Sequence, residues 1–497
     1  MPESVTIDRL KSHPVVGTWF VLGSNEEFPG VLYFEDDNLR LTLYLTIDGN
    51  TPFEILTRTD PRLMPFAPPN QPTLHGRTKA AGHVTLFNCP QLTYQSAVQL
   101  DPPLARVELT LGPSQAWSGS GFVSAEEPYQ ELSFRAPGLH NILSTIDVDH
   151  QFLVESKPKR KSPTHKLKKL TGADEAILVH HREQPKAQIV RADKSFEIQF
   201  ASSISQNSSS LDGISITTSD SVYILSQGAT LTELVNVAYE VEQFLALLCI
   251  GPFRGERVAL SLDMIHRAEL IWKMGKQNRS ARFSLMPHQM LVPLGRHPGL
   301  ARQALERWFA ASESTRLARW LIFDALFTEV SSTSKFLSVA QAWEIAGREE
   351  SKAAPYNKQQ FRAVCREVEK IFNNQLGEDA AKRLLQLLRS SNRESFANFV
   401  QNMIKDIPQL ALDQICRDRS DFVSAVVKTR NVLTHMQDGK NLPIEVASYL
   451  SLFLTYKLIV LYCIHACITM GLPLDNLAGM LGNNTMAQTA CRPLPSI

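Results

Sequence analysis

The sequence predicts a two-part α+β protein, with an antiparallel β-rich, sandwich-like region followed by an all-helical bundle. Three observations predict it. Up to about residue 285 apolar and polar residues mostly alternate, which is the period of a half-buried strand. From Pro298 onward apolar residues recur every three to four positions, the period of an amphipathic helix. At 497 residues, 43% hydrophobic and 20% charged, the chain has room for about two to four domains, each with its own core.

Within the first part, Gly17 to about Val154 carries the runs TWFVL, GVLYFE, LRLTLYLTI, HVTLFN, RVELTLG and YQELSFRA, separated by Asp-Asn, Asp-Gly and Pro-Pro pairs. β-branched and aromatic residues in alternation between turn formers read as antiparallel strands. Residues 157–169, KPKRKSPTHKLKK, contain two prolines and no acid and read as a basic linker. Strand-like runs resume after it (EAILVH, KAQIV, SFEIQF, ISITT, SVYILS), with a polar serine-rich loop expected between Ser202 and Ser210. At Thr230 the period changes, and a Thr-x-x-Glu capping box opens a helix of about five turns. The β-rich region is expected to span 1–285.

The helical part is expected over 295–480, with 481–497 as a flexible tail. Its segments run from LARQALERWFAA through FLSVAQAWEIAGRE, NKQQFRAVCREVEKIFNNQL and EDAAKRLLQLLR to FVSAVVKTRNVLTH and a long final apolar helix. Breaks are marked by Gly347, Pro355, Gly377, Pro408, Gly439, Pro443 and Gly471, with Gly347 read as a helix end. The most apolar stretch, Leu450 to Met470, is interrupted by Lys457 and His465 and reads as a buried helix rather than a membrane span.

Composition narrows the function classes. Lys plus Arg (51) and Asp plus Glu (50) leave a net charge of +1, so a nucleic-acid surface has to be a local patch. Two such patches are the 157–169 linker and Arg254 to Arg282. Seven scattered cysteines, mostly in apolar runs, frame no disulfide scaffold and fit a reducing cytoplasm. The N-terminal MPESVTIDRL lacks the basic start and apolar run of a secretory signal, and no membrane partner is expected.

The chemistry concentrates in KTRNVLTHMQDG, at Arg430, Asn431 and His435. Cleaving an RNA backbone requires a proton to leave the 2'-hydroxyl, another to reach the departing 5'-oxygen, and stabilisation of charge on the phosphate. A histidine can act as base or acid near neutral pH, and a guanidinium can hold phosphate through two parallel hydrogen bonds. Asn431 could orient either group. Five positions on a helix leave Arg430 and His435 about 140° apart, so a straight helix would not aim them at one point. A helix stop just past His435, signalled by Asp438, Gly439 and Pro443, or a cleft between two protomers would let them converge.

Arg430, Asn431 and His435 resemble the RNxxxH signature of HEPN-domain ribonucleases. With the apolar approach FVSAVV, the apolar helix that follows and the earlier FLSVAQAWEIAGRE, the region resembles the HEPN domain of the ApeA family of bacterial antiphage proteins. GTWFVLGSNEEFPGVLYFEDDNLRLTLYL resembles the opening of that family's β-rich N-terminal domain. The resemblance covers most of the chain and is specific at RNVLTH and at the helix around Trp343 and Glu344. It implies a metal-independent endoribonuclease with Arg430, His435 and Asn431 at its catalytic site, no cofactor and no bound metal, assembled as a homodimer through the helical domain. RNA, with tRNA the first candidate, would be the substrate in abortive infection, and the β-rich domain would sense infection through a phage-derived activator. Glu344, an acid on an early helix, would fix the arginine of the motif.

Other motifs give less. In Cys463, His465 and Cys467 the helical step turns the histidine roughly 160° from either cysteine, which argues against one zinc gripped by all three. His180 and His181 would face opposite sides of a strand, and WSGSGF at Trp117 reads as a turn rather than a phosphate loop. The rival reading is a non-catalytic dimeric binding or sensor protein that carries a vestigial motif. A carbohydrate-binding sandwich fused to a helical dimeriser is a further alternative, resting on the strand pattern alone.

Overall fold

The computed structural model describes residues 13–495 except 25, 36–37, 49–64, 67–69, 80–81, 101–102, 144–145, 153–174, 182–184, 192, 210–212, 254, 264–265, 274–285, 298, 329, 351–357, 376–377, 392–394 and 437–441. The 157–169 linker and Arg254, Lys276, Arg279 and Arg282 of the second basic segment lie outside the described residues. The chain divides into two compact units, the first Met1–Leu139, Lys186–Glu240 and Arg254–Arg282, the second His140–Pro185, Val241–Phe253 and Phe283–Ile497.

A little over the first half of the chain runs β1 (Val15–Val21), β2 (Glu27–Glu35), β3 (Asn38–Asp48), β4 (Leu74–Thr78), β5 (Gly82–Phe87), β6 (Gln91–Leu100), β7 (Pro103–Leu111), β8 (Gln115–Gly119) and β9 (Pro128–Arg135). A short helix α1 (Leu139–Leu143) leads to β10 (Ile146–Phe152) and β11 (Glu175–His181). Then follow β12 (Lys186–Arg191), β13 (Lys194–Ser209), β14 (Gly213–Thr230), helix α2 (Leu231–Cys249), β15 (Glu256–Ser261) and β16 (Arg267–Lys273).

Among the described residues fourteen strands form one sheet in the order β12-β13-β14-β9-β15-β16-β8-β5-β4-β1-β2-β3-β7-β6, every neighbour antiparallel. Side chains from both ends of the run β16 to β7, including Ile271, Trp19, Leu43 and Leu109, share one core, so the sheet curls around it. Alternation explains β3, where Leu39, Leu41, Leu43 and Leu45 are buried while Tyr44 is exposed. Thr42, buried on the other face of that strand, is hydrogen-bonded to Thr110 and Tyr33 at 3.2 Å each. Gly76 has a packing reason, since a Cβ there would run into the Trp19 ring. β10 and β11 pair separately, in the second unit.

The serine-rich stretch is a strand and not the expected loop. Ser202 to Ser209 continue β13 and pair in register with β14, from Ser202 opposite Asp220 to Ser209 opposite Gly213. The ladder supplies the hydrogen bonds that a polar side-chain pattern does not announce. Trp117 likewise lies in β8, buried, with the turn following at Ser120. The Thr230 capping box is present: Thr230 N–H donates to Glu233 Oε2 at 2.7 Å, and Glu233 N–H donates to Thr230 Oγ1 at 3.4 Å. Lys194 pairs with the same carboxylate at 2.7 Å, and its hydrogen bond together with that of Thr230 holds the Glu233 carboxyl below its ordinary range.

The helices of the second unit are α3 (Leu300–Phe309), α4 (Glu313–Phe327), α5 (Ser332–Glu350), α6 (Lys358–Gln375), α7 (Glu378–Ser391), α8 (Phe396–Lys405), α9 (Gln409–Ile415), α10 (Arg419–His435), α11 (Ile444–Thr469), α12 (Leu477–Asn483) and α13 (Thr485–Cys491). Helix α5 is central, packed against α4, α8, α10 and α11. Buried Trp343 locks it to α11 by donating Nε1–H to the Leu458 carbonyl at 3.2 Å. Gly347 does not end this helix. It lies inside α5, where a Cβ would sit 2.6 Å from Phe399 Cβ, so its role is to let α8 approach. Helix α11 has the length and apolarity of a membrane span, and it is buried against α5, α10 and α13.

Residues 481–497, expected as a flexible tail, contain the end of α12 and all of α13, with Leu481, Ala487 and Ala490 buried. Long-range polar contacts hold them. Asn484 caps α13 by accepting from the Met486 and Ala487 amides at 3.0 and 3.1 Å, and donates to the carbonyls of Cys249 (2.9 Å) and Gln289 (3.0 Å). Lys457 of α11, 2% exposed, donates to the carbonyls of Ile415, Ala490 and Arg492 at 2.6, 2.6 and 2.7 Å. One ammonium thereby satisfies carbonyls at the C-terminal ends of α9 and α13.

Candidate active site

Helix α10 carries the motif because one of its faces is committed to the core. Phe422, Val426, Thr429 and Leu433 are buried at spacings of four, three and four, with Val423 and Val432 beside them. This leaves Arg430 half-buried and Asn431 and His435 exposed. Asp418 caps the start, accepting from the Asp421 amide at 2.8 Å. The helix stops at His435 because Met436 turns left-handed, with φ 50° and ψ 41°. The stop is where Asp438, Gly439 and Pro443 pointed, although 437–441 lie outside the described residues.

Arg430 is held from three elements. Its Nη2–H donates to Glu344 Oε2 of α5 at 3.2 Å, its Nη1–H to Asn431 Oδ1 at 3.3 Å, and its guanidinium carbon lies 5.6 Å from the centre of the Phe396 ring at the start of α8. Glu344 also accepts from Arg348 Nη2, one turn further along α5. The carboxylate therefore sits between two guanidinium groups. Side-chain exposures of 21% for Glu344, 31% for Arg430 and 61% for Arg348 put the shared acid at the most sheltered point. Among the described residues two of the five guanidinium N–H groups of Arg430 are engaged, which leaves the rest for an anion. His435, in the last turn, has no side-chain hydrogen bond to a described residue.

Glu344 thus stands beside the arginine, as expected from sequence. Arg348 and Phe396 were not anticipated. The four-residue step from Glu344 to Arg348 is the spacing of a helical ion pair and could have flagged the first. Phe396 lies far from the motif in sequence, on a different helix, and carries no local signal.

Cys463, His465 and Cys467 all lie buried on α11, and burial pushes the Cys463 thiol up to about 12 and that of Cys467 well above its ordinary value. His180 and His181 lie in β11, opposite Asp147 and Ile146.

Two family models match the chain. One, described as ApeA N-terminal domain 1, covers residues 14–308, more than half of the sequence; the other, Apea-like HEPN, covers residues 337–476 and includes Glu344, Phe396, Arg430 and His435. No curated protein and no solved structure matches.

Proposed function

The chain belongs to the ApeA family, a nuclease-type antiphage defence family with a HEPN domain, and from that premise we propose that it is a metal-independent endoribonuclease of abortive infection. The observation that carries this reading is a half-exposed arginine, braced by an acid and a ring, on the same last turns of α10 as an exposed terminal histidine that has no side-chain hydrogen bond among the described residues.

In this reaction the Arg430 guanidinium binds the scissile phosphate through its unused N–H groups and stabilises charge as the 2'-hydroxyl attacks. Glu344 is a positioning residue: its carboxylate fixes Arg430 and keeps the guanidinium plane over Phe396. His435 takes the 2'-hydroxyl proton or gives one to the departing 5'-oxygen, and the product ends in a 2',3'-cyclic phosphate. Asn431 is next to the phosphate position and orients the arginine through its Oδ1.

Tyr449, Leu452, Phe453 and Tyr456 recur at helical spacing on α11 just after the motif, with Tyr449 and Leu452 exposed, and this apolar stripe supports a homodimer through the helical unit. A dimer would set two copies of the motif against each other. The β-rich region restrains activity until a phage-derived activator binds, the compartment is the cytoplasm, and tRNA is the substrate to test first.

The test is cleavage of end-labelled total and transfer RNA in EDTA, with and without phage lysate. Discrete products ending in cyclic phosphate are expected from the wild type, and a loss of about 10²- to 10⁴-fold from His435→Ala. No cutting under either condition, or equal cutting by His435→Ala, would return the protein to the binding and sensor reading.

A further inference from the structure

We propose that the hairpin of α6 and α7 grips the phosphate backbone of RNA away from the scissile bond. This rests on the ribonuclease reading for the identity of its ligand, and on separate residues for its grounds.

Helix α6 sets Arg362, Arg366 and Lys370 at four-residue steps, about 6 Å apart along the axis and on one slowly drifting stripe. All three are exposed. A second stripe of α6, centred about 130° from the basic one, carries Phe361, Cys365, Val368 and Phe372, of which Cys365 is buried, and α6 packs against α7. Among the described residues of α7, Ala381 and Leu385 are buried, and the helical step turns the exposed Arg383 about 160° from each. The two helices therefore pair through their apolar faces and turn their arginines outward.

A merely solvated face would be expected to balance its charges. Glu367 and Glu369 stand between Arg366 and Lys370, yet from Lys358 to Ser391 seven Lys or Arg outnumber four Asp or Glu, in a chain whose net charge is only +1. Lys370 pairs with Glu367 at 3.1 Å, but Arg362, Arg366 and Arg383 have no ion pair or hydrogen bond among the described residues. Like charges one turn apart work against the helix, so Arg362 and Arg366 together cost it some stability. Clustered unpaired guanidinium groups attract phosphate irrespective of base sequence.

The position in the chain fits the same ligand. In chain order the hairpin lies between α5, which carries Glu344 and Arg348, and α8, which carries Phe396. It is therefore tied at both ends to the elements that brace Arg430. An RNA held by its phosphates along the hairpin would be retained by the same unit that presents the motif.

The test uses the full chain carrying His435→Ala, so that bound RNA is not consumed, and fluorescence anisotropy of two unrelated labelled single-stranded RNAs over a salt series. Arg362→Gln, Arg366→Gln and Arg383→Gln together keep the helix propensity and remove three charges. Binding is expected to weaken about 10-fold or more for both RNAs alike. The slope of log affinity against log salt should fall by about 2, since each single-strand phosphate contact contributes about 0.7. An unchanged affinity, an unchanged slope, or no RNA binding by the parent chain overturns the grip; an acidic protein partner would then be the ligand to seek. The two readings fail separately. Cleaving protein whose binding ignores the triple change loses the grip alone, and non-cleaving protein that binds with the expected slope loses the ribonuclease alone.

Discussion

Two cations of the helical unit, Lys457 and Arg430, both stand where helices end, and they differ in what is left over. Lys457 is 2% exposed and spends its three N–H groups on three carbonyls, at the ends of α9 and α13. Arg430 is 31% exposed, leans on one carboxylate and one ring, and keeps most of its donors open. A saturated buried charge fixes the path of the chain and has nothing to offer a ligand. A braced but unsaturated one has donors left to offer an anion. Their surroundings agree: burial pushes the Lys457 ammonium down to about 8, beside the thiols of Cys416 and Cys491 and the charge of Arg417.

Breaking the saturated site should be the larger blow to stability. Lys457→Met fills the volume but orphans three carbonyls, and we expect a loss of about 3 kcal/mol in urea unfolding. Its pH dependence sharpens the point. The folded pKa lies below the unfolded one, so between about pH 8 and 10.5 the unfolded chain binds more protons and stability should rise with pH. The rise should appear in wild type relative to Lys457→Met; a fall in that difference would mean that the charge is favoured where it sits.

Next in size is Gly347→Ala. Its Cβ would meet Phe399 Cβ at 2.6 Å, and separating α5 from α8 should cost about 1–3 kcal/mol. Because those helices carry Glu344 and Phe396, RNA cleavage should fall as well. Wild-type unfolding with normal cleavage would show that the contact relaxes freely. The smallest stability change, under about 1 kcal/mol, is expected from Glu344→Gln, since both ion pairs are partly exposed. Cleavage should still drop, by less than for Arg430→Ala, as suits a residue that positions rather than touches phosphate. An equal drop would give Glu344 a part in the chemistry.

Much of this was legible in the sequence for a local reason. β3 and α10 announce themselves through periods of 2 and 3.6, and the Thr230 capping box through four residues. What escaped depends on partners far away in the chain. Helix α13 has no apolar period to speak of and is held by Asn484 reaching Cys249 and by Lys457 reaching Ala490. Ser202 to Ser209 are polar yet paired, because a ladder needs only backbone. At the site, Arg430, Asn431, His435 and Glu344 could be picked out by residue type and spacing, whereas Phe396 becomes visible only when α8 is packed against α5. Lys457 did show itself, as a charge inside an apolar run, which is the mark of a buried polar group with a specific set of partners.

The most direct measurement sets Arg430→Ala beside Lys457→Met in two assays on the same preparations, RNA cleavage and urea unfolding. The account predicts a crossed result: Arg430→Ala unfolds within about 1 kcal/mol of wild type but loses cleavage about 10²- to 10³-fold, whereas Lys457→Met is destabilised yet cuts RNA while it stays folded. Cleavage retained by Arg430→Ala, or lost only in proportion to unfolding in both variants, would contradict it.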